Sequence, residues 1–261
     1  MGFHLTVSGI SDIGLVRNRN EDSLSLLPEL GAAVLADGMG GHPGGHVASR
    51  IAAETAAAHL RHLLPIEHPV EPDAVSAQLG QAMSEAIMWA HGAVRSEGAR
   101  DPVLDGMGTT LSALAVDPET GIFAIGHVGD SRVYRYRGGE LRQLTRDDTW
   151  VQQRVDAHEL TPEQARRHPF GHMLTQCVGL VEPPVPQIVT GRVEPGDVYL
   201  LCTDGLTGML DDELLQEVLD VATNDHGPGG KPAERALDRL VESAKEAGGH
   251  DNITAALVFA S

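Results

Sequence analysis

The stretch SLSLLPELGAAVLADG, residues 23–38, decides the fold. Two short apolar runs, 23–27 and 32–36, flank the turn-forming PELG, and that pattern predicts an antiparallel hairpin. One carboxylate, Asp37, stands at the end of the second run, and glycines follow it in LADGMGGHPGG (35–45). A turn accounts for the glycines but not for LLCTDGL (200–206), where Asp204 repeats the arrangement far along the chain. In an antiparallel hairpin the start of the first strand and the end of the second share one open end. Asn20, Glu21 and Asp22 are therefore expected beside Asp37.

Outward from the hairpin, the N-terminal half reads as an extended segment (4–11), the two hairpin strands, and two helices. The first runs over 45–64, with Val47, Ile51 and Ala58 near one face. The second covers about 72–95, where Val75, Leu79, Ala82, Ala86 and Ala90 recur at helical spacing. Strands are expected at 110–117, 122–128, 132–137 and 140–144, then at 187–193, 197–202 and 253–259, with helices near 211–222 and 232–247. Residues 147–182 break the pattern with short helical pieces, Pro162, Pro169 and three histidines. A segment that long without periodicity is more often functional than idle. No linker-like shift divides the chain, so 1–261 reads as one α+β domain, a sandwich of sheets covered by helices.

Composition narrows the class of function. Of 261 residues, 41% are hydrophobic but only 3% aromatic, so the core must be aliphatic. With 19 basic and 37 acidic residues the net charge is −18. Such a surface repels nucleic acid and anionic membrane, so neither is expected as a partner. No apolar run approaches the ~20 residues that span a bilayer. Cys177 and Cys202 are too few for a disulfide framework and sit among apolar neighbours, which suits reduced core thiols in the cytoplasm.

The acids carry the chemistry. Asp130 follows IGHVG, Asp204 follows a strand and Asp251 precedes the last one, so each carboxylate falls at a strand terminus where one sheet edge can collect them. Gathered carboxylates raise one another's pKa unless a cation lies between them. All-oxygen donors suit Mg²⁺ or Mn²⁺, and a glycine beside the acid lets a backbone carbonyl such as that of Gly38 approach the same ion. Two ions in such a site activate water for displacement at phosphorus. Arg17, four residues before Glu21, can grip a phosphate, although Arg19 beside it leaves the choice of arginine open. An isolated Asp-Gly after a strand is usually only a turn; two of them, with Asn-Glu-Asp and Asp-Asn at other strand ends, are harder to dismiss.

At this point the chain resembles the metal-dependent Ser/Thr protein phosphatases of the 2C type, in their bacterial branch. The resemblance spans about residues 5–259 and rests on seven motifs in the family's order: DIGLVRNRNEDS (12–23), LADGMGGH (35–42), GMGTTLSAL (106–114), GHVGDSRVYRYR (126–137), LTRDDT (144–149), LLCTDGL (200–206) and GGHDNITAALV (248–258). It implies a four-layer α-β-β-α sandwich with two central, mainly antiparallel sheets. It also implies two tightly bound Mn²⁺ or Mg²⁺ ions and a weaker third. By that match Asp37 bridges the two tight ions, and Asp204 and Asp251 join it on the first. The Gly38 carbonyl binds the second ion and Glu21 holds its waters. Asp130 with Asp204 forms the third site, Arg17 holds the substrate phosphate, and Asp22 and Asn252 stand behind the ligands. Residues 147–182 match a variable flap beside the active site.

The implied activity is hydrolysis of phosphoserine and phosphothreonine by metal-activated water. The partners are phosphorylated proteins, a Ser/Thr kinase and its substrates, and the chain is expected to be a monomer. One departure from eukaryotic members stands out: Met39, not histidine, follows the first Asp-Gly, and a thioether cannot donate a proton. His42 or metal-bound water is left for that task, although among 13 histidines His42 reads more readily as a polar loop residue. A two-metal phosphodiesterase shares the metal logic but not the basic, aromatic surface of a nucleic-acid enzyme. A metal-dependent binding module is disfavoured because every ligand position is filled.

Overall fold

The computed structural model describes residues 2–39, 44–64, 66, 71–224 and 231–261. In chain order the strands and helices are β1 (Leu5–Asp12), β2 (Asp22–Leu27), β3 (Ala32–Asp37), α1 (Gly45–Leu63), α2 (Pro72–Gly98), β4 (Leu111–Val116), β5 (Ile122–Val128), β6 (Arg132–Arg137), β7 (Glu140–Gln143), α3 (Trp150–Asp156), α4 (Pro162–Arg166), β8 (Gln187–Arg192), β9 (Val198–Cys202), α5 (Asp204–Thr207), α6 (Asp212–Asn224), α7 (Pro232–Glu246) and β10 (Ile253–Ala260). The strands form two five-stranded antiparallel sheets, ordered β1-β10-β9-β6-β7 and β2-β3-β4-β5-β8.

Strand alternation builds three apolar layers. Ala33 and Leu35 of β3 face Leu201 of β9 and Ala256 and Val258 of β10 between the sheets. The other faces of β3, Ala32, Val34 and Ala36, meet α1 and α2. The outer face of the sheet that holds β9 and β10, with Val198, Leu200, Ile253 and Leu257, meets Leu215 and Leu219 of α6 and Leu237 and Leu240 of α7. The result is the expected helix–sheet–sheet–helix order. It is almost wholly aliphatic, with Phe123 and Tyr199 the pair of rings in contact between the sheets, 5.1 Å apart.

The hairpin closes as its sequence implies, with Asp22 opposite Asp37 and Leu27 opposite Ala32. Its turn winds one 3₁₀ turn at Pro28–Leu30 and leaves through Gly31, whose left-handed φ of 55° suits glycine. On α2 the buried face is the predicted one, Val75, Leu79, Ala82, Ala86 and Ala90. On α1 it is shifted: the buried stripe is Ala48, Ala52, Ala56 and Leu60, while Val47 and Ile51 are only partly covered and Ala58 is exposed. Small alanines let α1 lie close on α2, and that packing, not the largest apolar side chains, selects the inward face. No helix among the described residues is long and apolar enough to cross a membrane.

Candidate active site

The open end of the β2–β3 hairpin meets three connections from elsewhere in the chain. Asp130 lies in the β5–β6 turn, Asp204 opens α5 just after β9, and Asp251 immediately precedes Asn252 and β10. A cleft of about 730 Å³ is lined by Glu21, Asp37, Gly38, Asp130, Asp204 and Asp251, together with Arg17 and Asn252. Every residue expected to bind metal or phosphate therefore lines one cleft, and Asp22, which does not line it, is the register partner of Asp37.

Both Asp-Gly steps are explained by backbone contact. A Cβ on Gly38 would lie 2.3 Å from the Gly45 carbonyl oxygen and 2.7 Å from that of Glu21. A Cβ on Gly205 would lie 1.9 Å from the Asn252 carbonyl oxygen. Neither position has room for any side chain. At each glycine the main chain lies against that of a neighbouring segment, so the preceding aspartate lines the shared cleft.

Hydrogen bonds fix the frame around the acids. The Asn252 side chain accepts from Glu21 N (2.8 Å) and donates to the Ile13 and Arg19 carbonyls (both 3.0 Å), so it pins the loop carrying Arg17 and Glu21 to the start of β10. Thr203 donates to Asp22 (3.0 Å) from the other sheet. Asp37 is held through its main chain, its N–H on the Thr110 hydroxyl (2.9 Å) and its carbonyl on the Thr109 hydroxyl (2.7 Å), which leaves its carboxylate to the cleft. Arg17 donates to Asp251 (2.6 Å), whereas Arg19 turns to His46 (3.1 Å). Geometry thus places Arg17, not Arg19, at the cleft.

The electrostatics are those of acids crowded together. Burial first, then the charges of Asp22, Asp204, Asp130 and Asp251, push the Asp37 carboxyl well above the usual range. Burial, with Asp204 nearby, raises Asp22 to about 7. Burial followed by Asp204 and Asp147 raises Asp130 to about 8. The Arg17 guanidinium is shifted upward by its bond to Asp251. No three described His, Cys, Asp or Glu side chains converge on one point as they stand; Arg17 draws Asp251 to itself, and His172 lies 3.6 Å from Asp204. The donors nevertheless fit a hard divalent cation in kind. They are carboxylate and carbonyl oxygens, their mutual repulsion is what a cation relieves, and no thiolate competes, since Cys177, the cleft's single cysteine, is a buried thiol pushed up to about 11 by burial.

Sequence reasoning missed His172, which brings an imidazole into the cleft from the segment between α4 and β8, and it missed Thr110, which holds Asp37. Position within the aperiodic 147–182 segment is the one signal that pointed toward His172. Met39 lines the cleft as expected, and His42 lies outside the described residues.

Comparison with known proteins agrees with this geometry. The family model described as protein phosphatase 2C matches residues 17–257. The chain is 38% identical over 244 residues to the Ser/Thr protein phosphatase PstP of Mycobacterium tuberculosis, covering 94% of this chain but 43% of that protein. It therefore spans less than half the length of that relative. It is 34% identical to the protein phosphatase PhpP of Streptococcus pneumoniae, covering 97% of both. A crystal structure of the PstP catalytic domain in complex with two manganese ions superposes with a TM-score of 0.80 at 34% identity, covering 99% of each chain. The chain belongs to the protein phosphatase 2C family.

Proposed function

We propose that this chain hydrolyses phosphoserine and phosphothreonine in proteins at a centre of two Mn²⁺ or Mg²⁺ ions, with a weaker third ion beside them. The observation that carries the reading is that acids from five separate segments line one cleft together with Arg17, which pairs with Asp251 there. In this reading Asp37 lies between the two tight ions, Asp204 and Asp251 complete the first, and the Gly38 carbonyl and Glu21 serve the second. Asp130 and Asp204 serve the third. When bound, such ions lower the pKa of a shared water and neutralise charge on the phosphoryl oxygens. Arg17 then exchanges Asp251 for the substrate phosphate, to which a guanidinium can offer two parallel N–H donors. Asp22 and Asn252 hold the ligand segments in place. Met39 and Leu180 add apolar surface to the cleft lining, which strengthens the polar interactions inside it.

The family model and the Streptococcus relative both cover nearly the whole sequence, which supports residues 1–261 working as one catalytic unit with 147–182 as its flap. The reading extends to a monomer in the cytoplasm, acting against a Ser/Thr kinase; the two free, buried thiols, Cys177 and Cys202, support a reducing compartment. The test is phosphate release from a phosphothreonine peptide beside a phosphodiester, with Mn²⁺ and then with chelator. Release from the peptide alone, abolished by chelator, is the expected result. Preference for the diester, or indifference to chelator, overturns the reading.

A further inference from the structure

Two adjacent acids outside the cleft, Asp147 and Asp148, are buried at 8% and 9% exposure, and they straddle the turn that carries Asp130. Asp147 takes Arg132, on one side of Asp130, through Nε (3.0 Å) and a second guanidinium nitrogen (2.8 Å). Asp148 takes Gly129, on the other side, through the N–H of that glycine (3.0 Å), and returns its own N–H to the Gly129 carbonyl (2.7 Å). Gly129 has φ of 108°, so the turn is sharp and depends on glycine. Ser131, the residue after Asp130, meets Thr110 (2.8 Å), whose hydroxyl in turn accepts from Asp37 N. Asp130 therefore sits in a turn fixed on both flanks.

The second oxygen of Asp148 points elsewhere. It accepts from the Gln176 amide (3.1 Å), while the Asp148 carbonyl accepts from Thr175 N (2.7 Å). Residues 175 and 176 close the segment that carries His172, Met173 and Leu174 to the cleft, and Trp150 N donates to the Met173 carbonyl (2.8 Å) to zip that segment to the start of α3. One carboxylate thus accepts from the Asp130 turn with one oxygen and from the segment's return with the other. Asparagine could accept only one of the two, because its amide nitrogen would face a second donor. That requirement is the chemical reason for a buried carboxylate where no catalysis occurs.

We propose that Asp148 is a positioning residue that locks the Asp130 turn and the His172-bearing segment into one unit, so that displacement of either is transmitted to the other. The proposal deepens the phosphatase reading and rests on it only where Asp130 is taken as the ligand of the weaker ion. Hydrogen exchange in chelator tests the lock without metal or turnover. In Asp148→Asn, amides at Gly129–Ser131 and at 171–176 should exchange together about tenfold faster, the equivalent of ~1.4 kcal/mol, while the amides of β4 and β10 stay protected. Calorimetric titration should show the weak Mn²⁺ event weakened and the tight events unchanged. Should that variant fail to fold, Gln176→Leu cuts the side-chain arm from Asp148 to the segment, together with the bond Gln176 accepts from Val185 N (2.8 Å), and leaves the arm to Gly129; exchange at Gly129–Ser131 should still rise. Faster exchange confined to 171–176, with the Asp130 turn and the weak event unmoved, overturns the proposal. Loss of Mn²⁺ binding and phosphopeptide hydrolysis in the unsubstituted protein would instead reject the phosphatase reading and leave the exchange result standing.

Discussion

Acids held protonated by the fold make stability fall as pH rises, and the protein in chelator should show it. Asp130 is raised to about 8 and Asp37 well above its usual range, against an unfolded value of 3.8 for each. Between those limits the folded chain keeps protons that the unfolded chain has released, so deprotonation favours unfolding. Two histidines act in the opposite sense: burial lowers His127 and His91 in the folded state, so their contribution rises with pH until the unfolded value of 6.5 is passed. Above pH 7 that contribution is spent; His172, raised by its bond to Asp204, then acts in the same sense as the aspartates. From pH 7 to pH 8 the proton retained by Asp130 is worth ~1 kcal/mol, and Asp37 adds to that loss in the same direction. Urea unfolding in chelator at pH 7.0, 7.5 and 8.0 measures it. Saturating Mn²⁺ should abolish the slope, because an ion binds the deprotonated carboxylates and releases their protons. At a hundred times its dissociation constant one ion adds ~2.7 kcal/mol. Proton release can be read by calorimetry in two buffers of different ionisation enthalpy. Stability that is flat or rising from pH 7 to pH 8 in chelator, or Mn²⁺ binding without proton release, would refute the crowding of Asp37 and Asp130.

Asp37→Asn should abolish phosphopeptide turnover while raising the urea midpoint in chelator, since it removes a carboxyl that the fold keeps protonated and the unfolded chain releases; turnover near that of the unsubstituted chain would overturn the central place given to Asp37. Arg17→Ala should raise KM for a phosphopeptide ~10-fold or more, the value of a charged hydrogen bond of ~1.5 kcal/mol, whereas Arg19→Ala, whose guanidinium meets His46, should change it little; a larger effect at Arg19 in steady-state kinetics means the wrong arginine was chosen. Gly205→Ala should cost more than ~2 kcal/mol in urea unfolding, because its Cβ would meet the Asn252 carbonyl oxygen at 1.9 Å. Gly92→Ala, on α2 where nothing lies within 4 Å, should instead stabilise by ~0.5–1 kcal/mol, and equal effects from the two would contradict the packing argument.

The readable parts of the fold were those in which one local pattern had one physical solution. The 122–128 and 132–137 strands end where turn residues bracket them, PETG before, Gly129 and Asp130 between, and Gly138 and Gly139 after, and the short PELG turn sets the hairpin register that puts Asp22 opposite Asp37. The face of α1 was misread because an alanine-rich helix marks its period poorly; the contact with α2 decides it. Short α5 after Asp204 has four residues, too few to show a period. The site was legible as a set of acids but not as a network. That Thr203 reaches Asp22, that Thr110 holds Asp37 and that Gln176 meets Asp148 are contacts between distant segments, each made by a residue whose type is ordinary in a loop.

The two sheets contribute different acids, and this explains why the cleft can hold them. Asp37 ends β3 of one sheet, while Asp204 and Asp251 flank β9 and β10 of the other. Crowded carboxylates within one sheet could relax by fraying its edge. Here the distance between them is set by the layer of Leu35, Leu201 and Ala256 between the sheets, all with no exposed surface, and by the Thr203–Asp22 bond across it. Burial of each leucine contributes ~1.5–3 kcal/mol, so the many large apolar side chains that fill the three layers offset the repulsion of a few acids. The strain of the site is thereby kept at the strand ends, where Gly38 and Gly205 let the main chain close around it. A cation entering the cleft finds its oxygen donors already brought near one another by packing that does not depend on it. What it has to displace is the pairing of Arg17 with Asp251, the same arginine that a phosphate would then claim.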